Sequence, residues 1–320
     1  MKPPYQITND ILNLLTAISE KLGEINANFL DKPAPKLRKK NRIKTIHASL
    51  EIEGNTLTEE QITALLENKR IIGPQKDIQE VLNAIKAYDN LSKFKPHSLK
   101  SFLKAHKILM EGLINNAGKL RTGSVGIVKG SQVAHLAPPA SNLPYLIKNL
   151  FDYLKTDDAP ALIKSCVVHY EIEFIHPFID GNGRMGRLWQ TLILMKKYSI
   201  FEYIPLESII KDKQKEYYAV LSLCDKTGHS TAFIEFMLLA IYESLNDLLQ
   251  VQHRILTAKD RINYFVSSFA KKEFSRKDYM NIFKNISSST ASRDLKKAIN
   301  LKVIKKKGEK SLTKYRIIKK

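Results

Sequence analysis

Apolar residues recur at every third or fourth position through most of the first 250 residues, and this spacing constrains the fold more than any other feature. The period is that of an α-helix with one buried face. It predicts helices at about residues 8–29, 75–93, 97–113, 142–155, 159–174, 183–197, 209–224 and 230–252. The first 250 residues are therefore expected to form a mainly α-helical body.

Two prolines interrupt the first of these helical patterns. Pro33 and Pro35 predict a break and a linker, because proline lacks the N–H that a helix interior needs. A second helix is expected over about residues 41–54. Gly54 and Asn55 predict its end, since both tolerate the left-handed backbone of a helix C-terminus.

Between residues 118 and 141 the helical pattern gives way to glycine and β-branched residues. Residues 124–128 and 133–136 can pair across a turn at Lys129–Gly130, and two prolines then end the segment. A β-hairpin laid on the helical body is the prediction.

Positive charge is concentrated at the end of the chain. The formal net charge is +20, and residues 271–320 carry 17 Lys or Arg against 4 Asp or Glu, or +13. From about residue 257, three short amphipathic helices and two strands joined by a glycine turn follow in the order of a winged helix-turn-helix. Such a basic module indicates an anionic partner, above all nucleic acid, and the alternative is a solvated Lys-rich tail.

The composition excludes several classes of protein. With 43% hydrophobic and 26% charged residues in 320, the chain suits two or three globular domains. We predict an N-terminal helical region over 1–75, a core over 76–252 and the basic domain over 257–320. No apolar stretch is long enough for a membrane span and no signal peptide is visible, so a cytoplasmic protein is expected. Cys166 and Cys224 have apolar neighbours and indicate buried thiols rather than a disulfide or zinc site.

The residues that carry chemistry lie in one segment, HPFIDGNGRMGR at 176–187, between two predicted helices. Residues 181–183 can point backbone N–H groups at an anion, and the N-terminus of the next helix adds its positive dipole there. Arg184 and Arg187 are three residues apart, so both guanidinium groups can grip a polyphosphate. This part of the segment predicts a nucleotide phosphate site.

Two further residues of the segment suit phosphate chemistry. Asp180 offers the hard oxygen that Mg²⁺ prefers beside phosphates. His176 can take a proton from a hydroxyl group at neutral pH. No P-loop and no GxGxxG occurs in the chain, so the familiar nucleotide-binding folds are disfavoured.

The segment resembles the core motif of the Fic (Fido) family, HxFx(D/E)GNGRxxR. Every specified position is matched, by His176, Phe178, Asp180, Gly181, Asn182, Gly183, Arg184 and Arg187. The resemblance covers roughly residues 80–250, where residues 118–139 are similar to the family's flap and residues 215–221 to the helix after the core. It implies an all-helical Fic core with a β-hairpin flap, followed here by the winged helix-turn-helix.

The resemblance also implies an activity, transfer of AMP from ATP to a protein hydroxyl. His176 would be the general base, Asp180 would hold Mg²⁺, and Phe178 would anchor the core. The remaining residues of the implied ATP site are Gly181, Asn182, Gly183, Arg184, Met185, Gly186 and Arg187, with Arg187 on the γ-phosphate. Tyr218 or its neighbour Tyr217 would contact the nucleotide, and plain core packing is the alternative for both.

The flap would align the backbone of the target by strand addition. Its docking residues are Lys129, Gly130, Ser131, Gln132 and Val133.

A second match lies upstream of the core. Ser49–Gly54 reads SLEIEG and resembles the family's inhibitory-helix pattern (S/T)xxxE(G/N). Ser49 and Glu53 are four residues apart and share one helix face. A Glu53 carboxylate on Arg187 would occupy the guanidinium that the γ-phosphate needs, which places Glu53 in the ATP pocket as well. The alternative is that these residues only cap a helix.

The basic domain has its own candidate contacts at the start of its third helix. Ser289, Thr290, Ser292 and Arg293 would face DNA phosphates or bases. The competing interpretation is a winged helix that contacts protein.

Together these features predict a self-inhibited protein adenylyltransferase that uses ATP and Mg²⁺. Its expected partners are a target protein with a hydroxyl side chain, the chain itself as a target, DNA, and a second copy in a homodimer, with no membrane. One alternative is a phosphodiesterase in which Glu53 positions water to remove AMP. The other is a transcription regulator whose core only senses nucleotide, although such a sensor has no need of His176 as a base.

Overall fold

The chain forms two compact units in the computed structural model. The structure describes residues 2–27, 35–124, 126–129, 132–255, 258–269, 273–283, 286–308 and 313–318. The larger unit comprises Met1–Gly23 and Leu30–Asn246, and the smaller comprises Glu24–Phe29 and Asp247–Lys320. Most of the predicted N-terminal region therefore lies in the same unit as the predicted core.

The larger unit is mainly α-helical, as the periodicity predicts. Its helices are α1 Asn9–Ala27, α2 Pro35–Glu51, α3 Glu59–Leu66, α4 Gln75–Asp89, α5 Leu99–Leu109, α6 Leu143–Thr156, α7 Ala161–Ile175, α8 Asn182–Lys197, α9 Leu206–Asp212, α10 Gln214–Thr227 and α11 Thr231–Ile255. The ends of α1 and α11 are assigned to the smaller unit. Among the described residues, no helix combines the length and the apolar composition that crossing a bilayer requires.

The predicted hairpin is confirmed, except that Lys129 lies in the first strand rather than in the turn. Strands β1 Gly126–Lys129 and β2 Gln132–Leu136 pair in antiparallel fashion, with Gly126 opposite Leu136 and Lys129 opposite Gln132. The register shifts between Ile127 and Val128, as in a β-bulge.

Helices α7 and α8 form the centre of the larger unit. Helix α7 is apolar on nearly every side, which is typical of a helix buried all round. The ring of Phe102 on α5 packs against Trp189 of α8 and against Phe178 of the α7–α8 loop. The ring centroids are 5.0 Å and 5.2 Å apart, respectively. The loop between the two central helices, which carries the candidate residues, is thereby anchored in the core.

Two of the predicted elements are wrong in detail. Helix α2 begins at Pro35, not near residue 41, because the first helical position needs no N–H and suits the fixed φ of proline. The helix predicted over 209–224 is two helices, α9 and α10, which meet at Lys213. The side chain of Lys213 pairs with Glu243, and that of Gln214 bonds the Ile52 carbonyl, so tertiary contacts accompany this break.

The smaller unit follows the predicted order of three helices and a hairpin. Its elements are α12 Ala258–Ser268, β3 Glu273–Phe274, α13 Arg276–Ile282, α14 Ser288–Asn300, β4 Ile304–Lys307 and β5 Lys314–Ile317. The short strand β3 is additional and pairs with β5, which gives the sheet order β3-β5-β4. Phe265, Phe274, Tyr279 and Leu295 are buried together and give the unit its own core.

Candidate active site

The α7–α8 loop is shaped by two residues with left-handed backbone. His176 ends α7 with φ 48°, and Gly181 precedes α8 with φ 84°. The side chain of Asn182 fastens the loop from inside, since it accepts from the Phe178 N–H (2.9 Å) and donates to the Phe178 carbonyl (3.0 Å). The side-chain oxygen and one side-chain N–H of Asn182 are therefore engaged within the loop.

His106 on α5 holds the α7–α8 loop through a hydrogen bond to its backbone. Its Nδ1 accepts the Gly118 N–H (2.8 Å), so Nε2 carries the ring proton and donates to the Asp180 carbonyl (2.9 Å). Burial lowers the pKa of His106 to about 4, and the ring stacks on Phe178 at 3.6 Å. Sequence reasoning missed His106, because nothing in its helix distinguishes it from an ordinary core residue.

The same loop holds His176 with its ring half-buried. Nδ1 lies 3.3 Å from the Glu173 carbonyl oxygen. A carbonyl can only accept, so Nδ1 carries the proton and Nε2 is the nitrogen able to take one from another group. This is the tautomer that a general base requires.

Arg187 is buried on α8 and contacts the end of α2. Its Nη2 donates to Glu53 Oε1 (2.7 Å) and to the Ser49 carbonyl (2.9 Å), and its Nε donates to Ser49 Oγ (3.2 Å). Burial, the largest single influence, would lower the pKa of Arg187, but Glu53, Tyr217 and Glu173 together raise this pKa. The two residues of the upstream pattern thus meet the last arginine of the core motif.

The backbone at the end of α2 explains why Glu53 is presented there. The helix ends at Glu51, and Gly54 donates to the Glu51 carbonyl (3.0 Å) while Asn55 donates to the Leu50 carbonyl (3.1 Å). This is a Schellman motif, in which Gly54 takes the left-handed position with φ 90°. Glu53 is the last residue before that turn, so its side chain projects from the helix end.

The Glu53 carboxylate also lies over the first turn of α8. A Cβ atom on Gly183 would be 2.5 Å from Glu53 Oε1 and 3.2 Å from Glu173 Oε1. A side chain at this position would require the end of the Glu53 side chain to move. The N-terminus of α8, predicted to hold phosphate, has a carboxylate against it in this structure.

Arg184 lies between two carboxylates. Its guanidinium donates to Glu80 on α4 (3.2 Å) and to Asp180 (3.1 Å), and Asn55 fixes the second oxygen of Glu80 (2.8 Å). Asp180 is 49% exposed, so it keeps carboxylate surface facing solvent. The described residues include no cluster of three or more metal ligands. A single exposed carboxylate still suits Mg²⁺ where phosphates supply other ligands.

Three residues predicted for the ATP site are buried in the structure rather than exposed in the site. Met185 is fully buried in the core. A Cβ on Gly186 would lie 2.5 Å from the His169 ring, so Gly186 serves the close packing of α8 on α7. Tyr217 is also buried, and its hydroxyl donates to Glu173 (3.0 Å). The structure places these three residues away from the exposed side of the site.

Tyr218 differs from its neighbour. Its side chain is 41% exposed, and burial of the rest together with the nearby Glu53 carboxylate raises the pKa of its phenol. Of the two adjacent tyrosines, Tyr218 is the one that faces the open side near Arg187.

The flap candidates are only partly described. Lys129 ends β1, and Gln132 and Val133 begin β2, whereas Gly130 and Ser131 lie outside the described residues. Arg121 is a buried residue that sequence reasoning missed. It lies between the flap and the α7–α8 loop, the candidate catalytic loop. Its signal in the sequence is only a lone arginine in GKLRTG.

Two comparisons with known proteins identify the family of the chain. A family model described as Fic/DOC family matches residues 96–194. The crystal structure of a Fic family protein from Desulfovibrio desulfuricans G20 is 39% identical, with a TM-score of 0.76, and the match covers 100% of this chain and 99% of that one. This chain belongs to the Fic/DOC family.

Other Fic relatives match more distantly. Protein adenylyltransferase fic-1 of Caenorhabditis briggsae is 29% identical over 240 residues, which is 67% of this chain and 45% of the relative. The chain thus spans less than half the length of that curated Fic protein. Fic-1 (residues 134–508) from C. elegans shares the fold at a TM-score of 0.64 and 22% identity, over 76% of this chain and 73% of that one.

Proposed function

We propose that this Fic protein is a self-inhibited protein adenylyltransferase that transfers AMP from ATP to a Ser, Thr or Tyr hydroxyl of a target protein. The observation that carries the proposal is the Glu53 carboxylate, 2.7 Å from Arg187 and against the first turn of α8. A carboxylate there stands where the terminal phosphate of ATP would be bound. Curated relatives such as the protein adenylyltransferase fic-1 of Caenorhabditis briggsae support the same activity.

The residues of the α7–α8 loop suit the chemical step. His176 Nε2 takes the proton of the target hydroxyl as its oxygen attacks the α-phosphorus, and the bond to the β-phosphate breaks so that pyrophosphate leaves. Backbone N–H groups at the start of α8 and the Arg184 and Arg187 guanidiniums offset the charge of the phosphates. Asp180 would hold Mg²⁺, which supplies further charge neutralisation when bound.

Self-inhibition follows from competition for Arg187. When Glu53 accepts the hydrogen bond of the Arg187 guanidinium, the γ-phosphate of ATP loses that partner. ATP then binds in an orientation that is unsuited to transfer. A charge-assisted hydrogen bond is worth about 1.5–3 kcal/mol, which corresponds to roughly a tenfold to hundredfold change in rate.

The test is Glu53→Gly, which should raise self-labelling and labelling of lysate proteins from radioactive ATP by that factor. Glu51→Gly is the matched control, because it also replaces a carboxylate by glycine at the end of α2. The Glu51 side chain pairs with Lys211 rather than with Arg187. The control should leave transfer unchanged. Adding Arg187→Ala to Glu53→Gly should cancel most of the gain.

Other outcomes separate the alternatives. If Glu53 only caps α2, its loss lowers stability slightly and leaves transfer flat. If the enzyme is a phosphodiesterase, the variant loses removal of AMP from a modified protein and gains no transfer. A gain that persists without Arg187 would mean that Glu53 acts on another group.

For the smaller unit we propose binding to duplex DNA through α14 and the β4–β5 hairpin. Ser289 and Arg293 are exposed at the start of α14, with Thr290 and Ser292 half-buried beside them. The exposed basic residues on the rest of α14 and on the two strands are Lys296, Lys297, Lys305, Lys306, Lys307, Lys314 and Arg316.

Two acidic side chains of the same unit, Asp294 and Asp278, are engaged away from this face, whereas Glu273 pairs with Lys307 of β4 (3.8 Å). Asp294 is buried, where it accepts from Arg261 (2.6 Å) and from the Tyr279 hydroxyl (3.2 Å). Asp278 forms a capping box with Ser275. The exposed face of α14 and the hairpin is thus left predominantly positive, which suits a phosphate backbone.

A further inference from the structure

Arg121 lies on the segment between α5 and β1 and is only 3% exposed. Its guanidinium makes four hydrogen bonds in the described structure, and each goes to a backbone carbonyl. The acceptors are His176 (2.7 Å, from Nε), Gly123 (2.8 Å, from Nη1), and Pro138 (2.5 Å) and Ile175 (3.2 Å), both from Nη2.

The four carbonyls belong to two functional segments. Gly123 lies just before the β1–β2 hairpin and Pro138 just after it, so both stems of the flap are held. Ile175 ends α7, and His176 is the proposed base. The backbone N–H of Arg121 also donates to the Pro177 carbonyl (2.9 Å). Flap and catalytic loop therefore meet on one side chain.

The local physics makes arginine well suited to this place. Carbonyls at the end of α7 lack helical partners and carry the negative end of the helix dipole, so a cation there is favourable. His176 has a left-handed backbone, which a residue with a Cβ adopts only at a cost of about 1–2 kcal/mol. A bond to its carbonyl helps to hold that conformation. Lysine, with a single ammonium group, has no planar fork to span four carbonyls in two directions.

We propose that Arg121 is a positioning residue that locks the target-docking flap to the catalytic loop. A target strand added to the flap would then bring its hydroxyl to His176 Nε2 at a fixed distance. The inference rests on the proposed adenylyltransferase activity for its consequence, but the lock itself is a property of the fold.

The activity arm compares Arg121→Lys with Arg70→Lys, an exposed arginine, both in the Glu53→Gly background. Arg121→Lys should lower kcat for a protein target at least tenfold, because a displacement of about 1 Å at a reacting atom can reduce the rate about 10²-fold. ATP affinity should stay within twofold, since Arg121 donates to no residue of the phosphate site. Arg70→Lys should change neither quantity.

The structural arm is hydrogen exchange and needs no activity. Arg121→Lys should speed amide exchange in β1–β2 and in residues 178–181 together, while α8 and α11 keep wild-type exchange. A residue that served only general stability would instead raise exchange throughout the larger unit. If Arg121→Lys does not fold, Arg121→Gln, which leaves no buried charge, takes its place with the same expectations.

Three results would overturn the proposal. They are an unchanged kcat in the Arg121 variant, faster exchange in the flap without the loop or the reverse, and a uniform rise in exchange. If Glu53→Gly alone shows no transfer, the proposed activity fails, and the exchange experiment still decides whether the lock exists.

Discussion

At the residue scale, both arginines of the core motif are held by a carboxylate from a distant part of the chain. Glu53 comes to Arg187 from 134 residues upstream, and Glu80 comes to Arg184 from 104 residues upstream. Neither partner is adjacent to the motif in sequence. The site residues therefore depend on the whole larger unit for their orientation.

His176→Ala in the Glu53→Gly background should lower AMP transfer by ~10²- to 10⁴-fold, because it removes the base and no phosphate donor. ATP affinity, measured by calorimetry, should change little. His97→Ala, at an exposed histidine, is the control and should keep full transfer. Transfer by the His176 variant at the undiminished rate would show that another group is the base.

His169 gives a pH dependence to stability. It is fully buried between Gln190 (2.7 Å) and Tyr217 (3.0 Å), and burial lowers its pKa from 6.5 to about 3. Below about pH 6.5 the unfolded chain binds a proton that the folded chain does not. This residue should therefore lower the free energy of unfolding by about 1.4 kcal/mol per pH unit as pH falls.

The measurement is urea unfolding of wild type and His169→Gln at pH 7, 6 and 5. The variant has its own fixed loss of stability, so the test is the slope. Wild type should lose more stability than the variant between pH 6 and pH 5. Parallel slopes would mean that His169 is already protonated in the folded protein.

At the element scale, the α7–α8 contact depends on a glycine. Gly186→Ala should lower the melting temperature, because the new Cβ meets the buried His169 ring at 2.5 Å, and overpacking typically costs about 1–3 kcal/mol. Gly23→Ala in α1 is the matched control. Its Cβ meets no atom within 4 Å, and alanine favours the helix by up to ~1 kcal/mol. Equal melting temperatures for the two variants would contradict the packing argument.

The helices themselves were largely predictable from sequence, and the exceptions have physical reasons. Periodicity predicts α7 and α8 because burial of an apolar face depends on local spacing. It cannot reveal the break at Lys213, where no Gly or Pro occurs and tertiary contacts accompany the change of direction. The motif likewise identifies His176 and Arg187, whereas His106, Glu80 and Arg121 reach the site only through the fold.

At the scale of the whole molecule, the two units are expected to have separable activities. A chain ending at residue 256 should keep AMP transfer in the Glu53→Gly background and should lose most of its affinity for duplex DNA. The affinity of the full chain should fall steeply with salt, because Lys and Arg displace condensed counterions. Fluorescence anisotropy at several salt concentrations measures both.

A pair of point variants refines that experiment. Arg293→Ala should weaken DNA binding and reduce the magnitude of the salt slope by about 1 if Arg293 contacts a phosphate, and Arg70→Ala should do neither. Binding that does not depend on salt, or absence of binding at low salt, would favour a protein partner for the smaller unit.

The contact between Glu53 and Arg187 also has a genetic consequence. The glutamate codons GAA and GAG become glycine codons through a single change in the second base. On the proposed function, one nucleotide substitution would convert a restrained enzyme into a constitutively active one without altering the catalytic loop. Genes that encode this chain should therefore acquire gain-of-function alleles at codon 53 far more readily than at sites that require several changes.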